Sequence, residues 1–245
     1  MSKPTLAPDL VERVLGKLGL HGPPSVDLAG LNTVYRAFSS SVSNDNVQKR
    51  IWLTGDRASP VTGGDPAEFF ENWLTHGTGG TCFPINGSFA ALLEVLEFQV
   101  RRIVSTMMVP GAERGDSNHG SLVVSLEGVD YLTDAQCAGF EALPLRPYGE
   151  TRTTSDIHAM RTFPTDHGFD VRFHSGHMRE REFGFSPSLR TTPSATSTSF
   201  HSTTGRQTLR DSVPSINSCA SVDTSKIRSC RSVAGRRSRS STMVQ

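Results

Sequence analysis

Long apolar runs are missing from this 245-residue chain. No stretch approaches the roughly 20 residues that span a bilayer as a helix, so no membrane partner is expected. Aromatic residues are sparse, at 7%, with two Trp and three Tyr. The basic run Arg236-Arg237-Ser238-Arg239 therefore lacks the interleaved rings that stack bases, and no nucleic acid partner is expected either. Cysteine is scarce as well: Cys82, Cys137, Cys219 and Cys230 show no spacing of a disulfide framework or a zinc knuckle. The start Met1-Ser2-Lys3-Pro4 carries no charged-then-apolar secretory pattern, which makes the cytoplasm the expected compartment and keeps thiols reduced. His158, His167, His174 and His177 have no cysteine or carboxylate at ligand spacing, so no metal is expected. Glycine-rich stretches such as Gly77-Thr78-Gly79-Gly80 lack the lysine of a phosphate cradle.

What is present is unevenly distributed. Residues 1–187 hold 16 Lys plus Arg against 22 Asp plus Glu, a net of −6, whereas residues 188–245 hold 9 against 2, a net of +7. The last 58 residues contain 15 Ser and 9 Thr, with apolar residues scattered singly. Such a segment buries too little apolar surface to offset its ordering entropy, and disorder is expected. The abrupt change after Pro187 is also what out-of-frame translation of the encoding DNA produces.

Helix signals fill the first third. Pro8 suits a first turn, and Leu10, Val11, Val14, Leu15 and Leu18 recur at helical spacing until Gly19. Leu28, Leu31, Tyr35 and Phe38 form a second stripe. Asp65 can cap a third helix, with Pro66 at its first position, Glu68 at capping-box spacing and Phe69, Phe70, Trp73 and Leu74 on its buried face. After Phe98 the period shortens. Phe98, Val100 and Val104, then Leu122-Val123-Val124, then Val129 to Leu132 after the turn Glu127-Gly128, read as antiparallel strands. Phe169, Val171 and Phe173 followed by Phe183 and Phe185 alternate around Ser175-Gly176. The expected class is α+β: a helical bundle over 1–97, a small antiparallel β-barrel over 98–187 and a disordered or frameshifted tail over 188–245.

The chemistry concentrates at Gly79-Gly80-Thr81-Cys82-Phe83-Pro84-Ile85-Asn86. Two glycines permit a tight turn, and Phe89, Leu92, Leu93 and Leu96 continue as a helix with one apolar face, so Cys82 falls at a helix N-terminus. Free amide N–H groups and the positive end of the helix dipole favour a thiolate there. If Glu127 and Gly128 form a two-residue hairpin loop, residue 126 pairs with 129 and residue 121 faces Asp134. His119 then lies two residues along on the same face, a diagonal of roughly 7–8 Å between backbones that side chains can bridge. A carboxylate on one imidazole nitrogen leaves the other to take a thiol proton.

These residues resemble the arylamine N-acetyltransferase family. Gly79, Gly80, Cys82, Asn86, Phe89, Leu96 and Phe98 match its nucleophile segment, and His119 followed by Leu122, Val124, Gly128, Tyr131, Leu132 and Asp134 is similar to its histidine-to-aspartate segment. The resemblance spans roughly residues 5–187. Thr78 stands where the family has arginine, Pro84 where it has glutamate, and Asp45 in Val42-Ser43-Asn44-Asp45-Asn46 where a glutamate would face that arginine.

The resemblance implies an acyltransferase with Cys82 as nucleophile, His119 as base and Asp134 as orienter. Gly80, Phe83 and Gly120 would surround the substrate and its oxyanion. Acetyl-CoA is the implied donor and co-substrate, with an arylamine, hydroxylamine or hydrazine as acceptor and a double-displacement course. Two other outcomes fit the same residues: a catalytically silent remnant without a family-like third region, and an amide synthase acting on a carrier-bound acyl chain.

Overall fold

The computed structural model describes residues 6–56, 63–108, 118–137, 139–154, 159–166, 168–174 and 182–187. The chain divides into two units, 1–202 and 203–245, and every described residue belongs to the first. The expected tail, its basic run, Cys219, Cys230, His158, His167, His177 and the Ser175-Gly176 turn lie outside the described residues.

Five helices come first among the described residues. Helix α1 (Pro8–Lys17) starts on its proline and buries Leu10, Val11, Val14 and Leu15, with Leu18 as its C-cap. Helix α2 (Leu28–Ser41) is capped by Asp27, whose carboxylate accepts the Gly30 N–H at 2.7 Å. The short α3 (Val47–Thr54) buries none of its residues. In α4 (Pro66–His76) the Asp65 carboxylate accepts the Ala67 N–H at 2.8 Å, and Gly77 closes the helix in the left-handed region. Lys17 Nζ donates to the Trp73 carbonyl at 2.6 Å and to the Leu74 carbonyl at 3.1 Å, the latter a last-turn oxygen of α4, and so ties α1 to it. Helix α5 (Cys82–Val95) is the most apolar, burying Ile85, Phe89, Leu92 and Leu93 at helical spacing.

An antiparallel sheet follows, with strands β1 (Gln99–Met108), β2 (His119–Leu126), β3 (Val129–Thr133), β4 (Leu143–Pro144), β5 (Thr151–Arg152), β6 (Met160–Thr165), β7 (Gly168–His174) and β8 (Glu182–Pro187). The spatial order is β4-β3-β2-β1-β8-β7-β6-β5. The two ends of this order curl together: Thr151 Oγ1 of β5 donates to the Pro144 carbonyl of β4 at 2.7 Å and shares a second 2.7 Å hydrogen bond with Thr162. The result is a nearly closed barrel. Glu127 and Gly128 join β2 to β3 with positive φ at both positions, 49° and 78°, and Leu126 pairs with Val129 as the turn spacing predicts.

Because side chains alternate along β2, one strand serves two cores. Leu122, Val124 and Leu126 join the helical core around Phe38, Phe70, Phe89 and Trp73. Val123 joins the barrel core with Ile103, Leu132, Val171 and Phe185. Fully burying side chains of this size stabilises by about 1.5–3 kcal/mol each. That double packing holds β2 against α5, and with it His119 against the N-terminus carrying Cys82. Helix α3 and strands β4, β5 and β6 have no counterpart in the sequence reading. The strand pair β4 and β5 has two residues each, too short for any period, and β6 carries Pro164.

Candidate active site

Cys82 is the first residue of α5, directly after the extended Thr81, which makes no side-chain cap. The first-turn amides are thereby left without an intrahelical or capping partner from that residue. Pro84 has no N–H to orphan, and a proline in the first turn leaves the helix intact. Its ring packs on the glycine turn, where a Cβ on Gly80 would lie 2.9 Å from Pro84 Cβ. The residue that replaces the family glutamate is therefore a packing residue.

The turn before Cys82 is held by backbone and by one carboxylate. Gly80 pairs in parallel with Asn44, with Asp45 N–H donating to the Gly80 carbonyl at 3.0 Å. Asp45 accepts from the Gly79 N–H at 2.7 Å, from Ser43 Oγ at 2.6 Å and from the Val47 N–H at 3.0 Å. A Cβ on Gly79 would sit 1.7 Å from the Ser43 carbonyl oxygen, so only glycine fits there. Gln48 donates to Thr78 Oγ1 at 3.0 Å. Where the family pattern pairs an acid with an arginine, this chain joins the same segments by a carboxylate on a backbone amide.

His119 opens β2 and is 1% exposed; Asp134 directly follows β3 and is 0% exposed. Strand pairing brings them together: His119 Nε2 lies 2.5 Å from Asp134 Oδ2. Ser121 Oγ donates to the same oxygen at 2.7 Å. The other oxygen accepts from Asn86 Nδ2 at 3.1 Å, Gln136 N–H at 3.2 Å and Cys137 N–H at 3.3 Å. Tyr35 Oη donates to the Asp134 carbonyl at 3.0 Å and accepts its N–H at 2.8 Å. Burial alone would raise the Asp134 carboxyl, but the facing imidazole and these donors outweigh it and hold it below the usual range. Burial likewise opposes charge on His119, yet Asp134 keeps its imidazole well above 6.5.

After Asp134, the neighbouring Cys137 and Cys82 thiols also favour the charged imidazole. The Cys82 thiol also donates to the Asn118 carbonyl at 3.8 Å. Burial, and then the Asp134 charge, push the Cys137 thiol up to about 12, although the residue as a whole retains some exposure. Phe185 packs its ring 5.0 Å from that of His119. Gly120 backs onto Phe83, where a Cβ would approach Phe83 Cδ1 to 2.9 Å, and its carbonyl accepts from Asn86 Nδ2 at 2.6 Å. All six residues singled out from the sequence, Cys82, His119, Asp134, Gly80, Phe83 and Gly120, thus flank one place. Tyr35, Ser121 and Cys137 belong to it too and carry no local sequence signal. A separate groove of about 550 Å³ beside Tyr131 and Leu145 includes none of the six.

A model of N-acetyltransferases matches residues 27–226, most of the chain and all of this site. The chain belongs to the arylamine N-acetyltransferase family. The match runs beyond Pro187, where the residue-by-residue resemblance ends, so part of the Ser/Thr-rich segment aligns with the family as well. An arylamine N-acetyltransferase of Mycolicibacterium smegmatis is 28% identical over 130 residues, 51% of this chain and 45% of that protein. The crystal structure of a Mycobacterium smegmatis N-arylamine acetyltransferase superposes with a TM-score of 0.61 at 19% identity, covering 75% of this chain and 66% of the other. The Salmonella typhimurium arylamine N-acetyltransferase follows with 0.60 at 18%, over 74% and 64%. The chain spans about half of the curated relative and about two thirds of the arylamine N-acetyltransferase structures. Among the described residues no helix is long and apolar enough to cross a membrane.

Proposed function

We propose that this chain is a cysteine-dependent acetyltransferase that moves an acetyl group from acetyl-CoA to an arylamine, hydroxylamine or hydrazine. Residues 1–97 supply the nucleophile and residues 98–187 its base and orienter. The observation that carries the reading is the buried 2.5 Å contact between His119 Nε2 and Asp134, with the Cys82 thiol at the head of α5 and 3.8 Å from the carbonyl of Asn118, the residue before His119.

Asp134 makes the imidazole a stronger base, and His119 takes the Cys82 thiol proton. The thiolate attacks the acetyl carbonyl carbon, a C–S bond to Cys82 forms, and backbone amides at Cys82 and Phe83 steady the oxyanion. The C–S bond to coenzyme A then breaks, and His119 returns its proton to the departing sulfur. In the second half the amine nitrogen attacks the acetyl-cysteine, its C–S bond breaks, and His119 accepts the amine proton and passes it to the departing Cys82 sulfur, restoring the thiol. Gly80 and Gly120 let Pro84 and Phe83 pack closely on the backbone around Cys82. The chemistry is soluble and cytoplasmic in character, with small-molecule partners and no metal in any step.

The test is direct. Incubation with acetyl-CoA followed by peptide mapping should place an acetyl group on Cys82, and His119→Ala should slow its appearance at least a hundredfold. Absence of any adduct on the wild-type chain would overturn the reading. A silent family member is the second reading, favoured by Thr78 and Pro84 standing where the family has arginine and glutamate.

A further inference from the structure

We propose that Ser121 is a positioning residue of this site: its hydroxyl shares the Asp134 oxygen that faces the imidazole and so limits how firmly His119 keeps a proton. The inference rests on the reading of His119 as the base that takes up and returns a proton.

Strand register puts Ser121 in place. Leu122 pairs with Thr133 across β2 and β3, so the position opposite Asp134 is Ser121, and His119 reaches the same carboxylate along the diagonal. Both side chains end on one atom: Asp134 Oδ2 lies 2.5 Å from His119 Nε2 and 2.7 Å from Ser121 Oγ. The other oxygen already accepts from Asn86 Nδ2 and from the Gln136 and Cys137 amides. Ser121 is 0% exposed and faces Ile103 across β1 and β2. A void of one oxygen atom beside that side chain is too small for a water, so nothing replaces the hydroxyl when it is removed.

A carboxylate oxygen that accepts a second donor has less negative charge to offer the first. The hydroxyl therefore weakens the pull of Oδ2 on the imidazolium proton, in a buried place where that pull is strong. Without it Asp134 holds His119 charged more firmly, and the proton passes less readily to a departing sulfur. Among the described residues the other titratable groups around this pair are the Cys82 thiol of α5, the Cys137 thiol after β3 and Tyr35 of α2, which bonds the Asp134 backbone rather than its carboxylate. Ser105 of β1 supplies the control. It is 0% exposed and pairs with His119 across the sheet, and its hydroxyl has no partner among the described residues, so it shares the place beside the ring without bonding Asp134.

The experiment is proton NMR of the full chain without acetyl-CoA, reading the His119 Nε2–H resonance, which a short buried hydrogen bond to a carboxylate carries far downfield. In Ser121→Ala the resonance should move further downfield as the His119–Asp134 bond strengthens; in Ser105→Ala it should stay. Ser121→Cys nearly keeps the volume and offers only a weak donor, so it should move the resonance the same way by less, a comparison that stands even if Ser121→Ala fails to fold. In the pH profile of Cys82 acetylation the alkaline limb, where the imidazolium is lost, should rise by roughly 0.5–1 pH unit in Ser121→Ala, the equivalent of one hydrogen bond. A resonance unmoved or shifted upfield in the Ser121 variants, an equal shift in Ser105→Ala, or an unmoved alkaline limb in a chain that acetylates would each overturn the role. If wild-type Cys82 never takes an acetyl group, the transferase reading falls while the NMR comparison still decides the place of Ser121.

Discussion

Tyr35 sits 99 residues from Asp134 and fastens it from both sides, donating to its carbonyl and accepting its N–H. A buried N–H stripped of its acceptor costs about 1–3 kcal/mol, so Tyr35→Phe should lower stability by that amount in urea unfolding. The aromatic ring, stacked on Phe89 at 5.6 Å, stays in place in that variant, which isolates the hydroxyl. An unchanged midpoint would mean that the two hydrogen bonds contribute nothing. Nothing around position 35 announces this role, because its spacing marks a helix face and not a polar contact across the molecule.

Among elements, the decisive join is the one between the segment preceding α3 and the turn preceding α5. Asp45→Ala removes the acceptor of the Gly79 and Val47 amides and should cost about 1–2 kcal/mol, within the range of a lost cap. Because the turn positions Cys82, the same variant should slow Cys82 acetylation roughly tenfold, while Asp45→Asn, which keeps an acceptor oxygen, should restore most of the rate. A variant that loses stability with no change in acetylation rate would separate the turn from the chemistry. Thr78, Pro84 and Asp45 read in sequence as departures from a family pattern. In the structure they form a different set of contacts at the same join. Helix α3, next to it, exposes Val47 at 43%, Ile51 at 59% and Leu53 at 42%, and so lacks the buried stripe by which α1, α2 and α4 are legible.

For the whole molecule, the His119–Asp134 pair links folding to pH. His119 is held above its ordinary 6.5, so its contribution is complete below 6.5 and is lost as pH rises toward the folded value. Asp134 is held below its ordinary 3.8, so its contribution is complete above 3.8 and is lost as pH falls toward the folded value. Both contribute fully between those limits. Breaking one side of a buried ion pair costs about 3–5 kcal/mol, and Asp134→Asn should show a loss of that order near pH 5. The gap between wild type and variant should narrow below 3.8 and narrow again above 6.5 in denaturant titrations. A gap constant across that range would mean that the pair does not titrate with folding.

Local order was written along the chain: the proline start of α1, the apolar stripe of α2, the Asp65 cap and proline start of α4, the apolar run of α5, the period-two strands and the Glu127-Gly128 turn whose register sets His119 two residues from the position opposite Asp134. These signals are short-range, and a hairpin converts them into a long-range distance by counting. Closure of the barrel by Thr151, the two-sided use of β2, and the arrival of Tyr35, Ser121 and Cys137 around one carboxylate were decided only by packing. Such groups meet because two cores bury one strand from both faces, and no interval in the sequence encodes where separate cores come to touch.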